Sequence, residues 1–141
     1  MDEHICGECG GAGRAFLNEA FSIAHGEISA TVADLSGWRC DGCDDVEFDA
    51  ASATRYAQAS DELVVAARKR QAENLKRARK KLRLTQTAAA QLTGGGHNAF
   101  SRYESGIASP MPAVVNLFKL LERHPELLQE LTLAEPLSAK R

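Results

Sequence analysis

Four cysteines constrain this chain more than any other feature: Cys6-x2-Cys9, a gap of 30 residues, then Cys40-x2-Cys43. Each Cys-x2-Cys knuckle carries two thiolates to one side of a tight turn, and two facing knuckles supply the tetrahedral all-sulfur set that zinc accepts. Gly7, Gly10 and Gly11 around the first knuckle and Gly42 inside the second suit such turns. A thioredoxin-like redox pair would leave the second knuckle unexplained. A disulfide pair is disfavoured, because the start, MDEHICGECG, is acidic and lacks the apolar stretch of a secretory signal, which points to the reducing cytoplasm. Four thiolates close the coordination shell, so Cys6, Cys9, Cys40 and Cys43 are expected to hold a structural rather than a catalytic Zn2+. His4 and His25 then read as solvent-exposed, and Trp38 as packing over the second knuckle.

Such a staple matters because the chain behaves as two halves. At 141 residues it forms one ordinary domain or two of about 70 residues, a size at which a core alone is barely sufficient. Charge favours two. Residues 1–67 hold three Arg and 13 Asp/Glu, net −10, whereas residues 68–141 hold 14 Lys/Arg and six Glu, net +8. A basic half suits nucleic acid, and an acidic half suits a basic protein. The expected domains are therefore 1–67, zinc-binding, and 68–141, nucleic-acid-binding. No apolar run approaches the roughly 18 residues of a membrane span, so no membrane partner is expected.

Between the knuckles, Phe16 to Ala24 and Ile28 to Leu35 read as strands joined at His25-Gly26, a hairpin clipped to zinc. From about Ala51 to Leu82 the absence of Pro and Gly and the abundance of Ala, Arg, Lys, Gln and Glu favour helix. One helix, or two with Ser60 capping the second, both fit. The connector carries Arg68, Lys69 and Arg70, then a denser run from Lys76 to Arg83, as a phosphate-facing surface.

Beyond Leu82 the pattern sharpens. Thr85 serves as N-cap to a short helix, Gln86 to Leu92, that stops at Gly94-Gly95-Gly96; a second helix, His97 to Ser105, ends at Gly106. Two short helices around a glycine turn describe a helix-turn-helix. On a helical projection Asn98, Ser101, Arg102 and Ser105 share one face, opposite Phe100 and Tyr103. Asn98 and Arg102 are the residue types that make bidentate contacts to adenine and guanine in the major groove; Thr85, Gln86, His97 and Ser101 flank them as candidate backbone or auxiliary contacts. Ser109 to Pro112 opens a helix to Glu122 with Val114, Leu117, Phe118 and Leu121 on one face. Pro125 starts a last helix, and the tail after Leu133 reads as frayed. These last helices are expected to complete the core and a dimer interface.

The run from Gly94 through His97-Asn98-Ala99-Phe100-Ser101-Arg102-Tyr103-Glu104 to Gly106, with Leu84-Thr85-Gln86, His124-Pro125-Glu126-Leu127-Leu128 and the cysteine spacing, resembles the MqsA (YgiT-type) antitoxins of type II toxin-antitoxin systems. Their second domain belongs to the Xre-like helix-turn-helix class. The resemblance implies an α+β chain, with a small zinc-bound β-hairpin domain followed by an all-α five-helix domain. It also implies a homodimer on palindromic operator DNA, autorepression, and an N-terminal domain that neutralises an MqsR-like ribonuclease toxin. Arg79 would pair with Glu104, as an Arg and a Glu do in Xre-like domains. Basic residues that relatives carry after the zinc knuckle fall here near Asp61 and Val64, which leaves Arg68, Lys69 and Arg70 as substitutes. The other reading is a stand-alone Xre-type regulator whose zinc domain senses a ligand or self-associates. An enzyme is not expected: no paired carboxylates suggest a catalytic site, and the metal has no open position.

Overall fold

The computed structural model describes residues 3–133, so the frayed tail expected after Leu133 lies outside the described residues. The fold is α+β: four strands, then five helices. The chain divides into two compact units between Ala67 and Arg68.

In the first unit β1 (His4–Ile5), β2 (Ala12–His25), β3 (Ile28–Cys40) and β4 (Val46–Phe48) form one antiparallel sheet in that order. The hairpin strands are longer than the expected Phe16 to Ala24 and Ile28 to Leu35, because both run on into the cysteine knuckles. They survive that length by bending twice. The register steps between Phe16 and Glu19, where β2 carries an extra residue, and steps back between Glu19 and Phe21, where β3 does. Asn18 and Asp34, at φ +54° and +57°, mark the two bulges, and both are residue types that tolerate the left-handed region. The second bulge cancels the first, so the inward face is restored towards the turn.

Gly37 lets β4 approach β3: a Cβ there would stand 2.1 Å from the Glu47 carbonyl oxygen. Beneath this junction Phe48 packs edge-on against Phe21 at 4.9 Å and, tilted by 35°, against Tyr56 at 4.9 Å. The Arg39 guanidinium lies 5.3 Å over the Phe16 ring and pairs with Glu19. Leu35 is fully buried.

α1 (Ala50–Lys81) is one uninterrupted helix, which decides between the two expected arrangements of the connector. Ser60 does not cap a second helix. The entry is set instead by Asp49, whose Oδ1 accepts the Ser52 amide at 2.7 Å, the hydrogen bond that an N-cap side chain supplies. Ser52 Oγ in turn accepts the Ser36 amide, and Ser36 Oγ accepts that of Asn18. One chain of hydrogen bonds thus ties the β2 bulge to the helix start. Arg55 donates to the Ala33 and Asp34 carbonyls, covering part of the outer β3 edge.

In the second unit the last turns of α1 meet α2 (Gln86–Thr93), α3 (Ala99–Glu104), α4 (Pro112–Arg123) and α5 (Leu128–Leu133). The last helix is not continuous from Pro125: a 3-10 turn, Pro125–Leu127, precedes it. Leu75, Ala78, Leu82, Ala89, Ala90, Phe100, Val114, Phe118 and Leu121 form one core. Its centre is the Phe100–Phe118 pair, 5.1 Å apart. The expected face of α4 is the buried one, with Leu117 packed at its margin. α2 ends where Gly94, at φ +77°, turns its N–H back to the helix carbonyls, a left-handed stop that a side chain would strain.

Candidate functional site

β3 ends at Cys40 and β1 runs into Cys6, so the sheet itself carries the two knuckles together. The four sulfurs lie within 4.8 Å of one another. Cys6 and Cys43 Sγ are 3.8 Å apart, Cys9 and Cys40 Sγ 3.4 Å. A tetrahedron with metal–sulfur bonds of ~2.3 Å has edges of about 3.8 Å, so the set fits a structural metal; a disulfide needs about 2.05 Å. Amides of Gly11 and Gly42 point at the Cys9 and Cys40 sulfurs, the donation that stabilises a thiolate. Gly11 leaves the room this needs, since a Cβ there would press on both sulfurs at 3.2 Å.

The electrostatics also fit a cation. The Gly42 and Cys43 amides bring the Cys40 thiol down to about 7. At Cys43 the Asp45 amide lowers the value, yet neighbouring Cys9, loss of water and the remaining sulfurs outweigh it and push the thiol up to about 12. Four sulfurs this close cannot all ionise unaided, and a dication relieves that conflict. The chemistry of the donors, all soft sulfur, matches Zn2+.

Around the sulfurs the structure corrects one expectation. His4 is not a solvent-exposed side chain: it stacks on Trp38 with ring centroids 4.3 Å apart, and its Nε2 lies 2.6 Å from Glu47 Oε2. Trp38 therefore packs against His4. His25 is exposed as expected. The other Glu47 oxygen accepts the Gly7 amide at 3.0 Å, and that bond, with the His4 contact second, holds the Glu47 carboxyl below the usual range. Glu47 thus clamps the first knuckle from β4, a role for which the sequence carries no distinctive signal. Cys6, Asp45 and Glu47 also lie within ligand reach of one another, but Glu47 is already engaged.

The second unit places the other expected residues. α3 begins at Ala99 rather than His97. Phe100 is fully buried and Tyr103 packs on the core, while His97, Asn98, Ser101 and Arg102 are exposed. Asn98 stands at the helix start without making a side-chain capping bond. Thr85 caps α2, its hydroxyl oxygen accepting the Ala88 amide at 3.0 Å. Gln86 commits one of its two amide N–H donors inside the unit, because Nε2 donates to Glu104 Oε2 at 3.0 Å. The same carboxylate forms a bidentate pair with Arg79, with side chains 11% and 4% exposed, as the resemblance implied. Arg79 also donates to the Leu84 carbonyl. Arg68, Lys69 and Arg70 are exposed on α1, but at about 100° per residue they fan over roughly 200° of its surface and do not form one patch.

Among the described residues no helix is long and apolar enough to cross a membrane. The model of the family described as the antitoxin component of bacterial toxin-antitoxin systems, MqsA, matches residues 4–132. Antitoxin MqsA of Escherichia coli (strain K12) is 52% identical over 59 residues, 42% of this chain and 45% of that protein, so the match spans less than half of that relative. With a family match over nearly the whole chain, carried through both the cysteine cluster and the glycine-linked helices, the chain belongs to the MqsA family of antitoxins.

Proposed function

We propose that this antitoxin is a non-enzymatic, cytoplasmic protein with two binding tasks. The second unit is a helix-turn-helix that docks α3 in the major groove of a palindromic operator as a homodimer and represses its own operon. Asn98 and Arg102 read bases there, with His97 and Ser101 beside them and Thr85 and Gln86 bracing the helix pair. The observation that carries this reading is the two-faced α3: Phe100 anchors it in the core while Asn98, Ser101 and Arg102 stand exposed together. That is the arrangement by which a recognition helix reaches base edges. Exposed Ile107, Met111, Leu120 and Leu131 supply apolar surface for a dimer.

The first unit, held by Zn2+ on Cys6, Cys9, Cys40 and Cys43, binds and neutralises a ribonuclease toxin of the MqsR type. Its net charge of −10 over residues 1–67 supports a basic protein partner and opposes a polyanion.

The test uses the full chain and the duplex upstream of its own coding region. Arg102→Ala should lose about 1–3 kcal/mol of binding to that duplex and keep its weak affinity for a scrambled one. Unchanged affinity for the upstream duplex would sink the base-reading role. Co-expression with the neighbouring gene should yield a complex with a small basic protein; without one, the stand-alone regulator becomes the better reading.

A further inference from the structure

The cations of the second unit fall into two groups. Arg79 is committed to Glu104 and the Leu84 carbonyl, and Arg77 and Lys81 to Glu122. Arg83 is exposed, and among the described residues its side chain makes no hydrogen bond or ion pair.

What sets Arg83 apart is its backbone. It stands at φ +58°. Its amide donates to the Lys80 carbonyl at 3.0 Å and the Leu84 amide to that of Arg79 at 3.1 Å, the paired bonds of a Schellman stop at the end of α1. Glycine takes this position without a Cβ penalty; an L side chain does not. The chain therefore keeps a strained arginine whose side chain makes no hydrogen bond or ion pair among the described residues. Strain kept in that way points to a ligand outside the chain.

The turn that bears Arg83 is also locked to α3. Arg79 holds the Leu84 carbonyl with one nitrogen and Glu104 of α3 with two others, and Gln86 closes on the same carboxylate. A cation on this turn is thus held in fixed register with Asn98 and Arg102. The Glu104 carboxylate of that network is already engaged by Arg79 and Gln86, which leaves the Arg83 fork, whose planar donors match phosphate oxygens, for another acceptor.

We propose that Arg83 is a DNA-backbone contact that grips a phosphate of the duplex read by α3. The proposal rests on the DNA-binding reading above. Arg83 adds affinity and register but no sequence choice. It also supplies the anchoring that Arg68, Lys69 and Arg70, spread around α1, are poorly arranged to give together.

The experiment measures binding of the full chain to the upstream duplex and to a scrambled duplex of equal length across a salt series, with thermal unfolding alongside. Arg83→Gly should unfold about 5 °C higher, because the strain is gone. It should bind both duplexes about three- to tenfold more weakly, with the salt slope smaller by about 0.9 for each bound protomer. Arg83→Lys should keep the wild-type midpoint and most of the affinity. If Arg83→Gly binds both duplexes with wild-type affinity and slope, Arg83 only closes α1 and the proposal falls. A loss confined to the upstream duplex would make it a base contact and equally overturn it. Failure of the wild-type chain to bind either duplex removes the DNA-binding reading itself, and this proposal with it.

Discussion

The two units solve the same problem, stability at about 70 residues, by different means. In the first, the buried apolar residues are Cys6, Phe16, Leu35, Cys40 and Leu63, so two of the five are themselves candidate metal ligands. In the second, nine residues from Leu75 to Leu121 form a continuous apolar core, crossed by one buried ion pair, Arg79–Glu104. A small four-stranded sheet with many exposed residues along its strands cannot bury enough area to hold itself, and a cross-link between its ends would make up for the small core. Four short helices around the end of a fifth enclose their own interior and need no such link. A metal on the four sulfurs would therefore serve the architecture of the first unit, whose cysteines form the cluster.

The largest effect should come from removing the metal. Stripping it with a chelator, or making Cys40→Ser, should unfold the first unit, since binding energies on the order of 10–16 kcal/mol accompany structural zinc. The α2–α5 region should keep its structure, read by residue-resolved NMR. If both units melt together, or neither does, the cysteine cluster is not a staple of the first unit alone. Next, Arg79→Met should cost about 3–5 kcal/mol, because it strands the Glu104 carboxylate in the interior. Arg79→Met with Glu104→Leu should recover much of that loss, and chemical denaturation should assign both changes to the second unit alone. The smallest effect separates the units by pH. The Ser52 amide, with the Ser52 side chain second, holds the Asp49 carboxyl below its usual value. A carboxyl lowered in the folded state stabilises above its unfolded value, about 3.9, and loses that contribution as pH falls through the folded one. Asp49→Asn keeps the cap but not the charge, so it should fall short of the parent at neutral pH and converge with it in acid. Only the first unit's midpoint should respond.

The spacing of Cys6, Cys9, Cys40 and Cys43 was legible because metal chemistry demands two ligand pairs whatever the fold between them, and the sulfurs do converge. α2, α3 and the buried face of α4 were legible because Thr85, Gly94 and the apolar period are local signals. Strand limits were not. Nothing in the neighbourhood of Asn18 or Asp34 distinguishes a bulge from a strand end, since a bulge exists only relative to the partner strand. His4 was misjudged for the same reason: its stack on Trp38 and its contact with Glu47 join residues more than 30 positions apart.

What the sequence determined by itself is the chemistry on offer: four thiols in two pairs, an acidic half and a basic half, a capped helix and a glycine turn. These follow from residue type and short spacing, which act before the chain folds. What only tertiary structure decided is which groups are spent and which are left over. Glu104 engages Arg79 and one donor of Gln86, Glu47 is taken by His4 and Gly7, and Arg83 stands strained, its charge without a partner among the described residues. Pairing depends on distances between residues remote in sequence, and those distances exist only once each unit has folded.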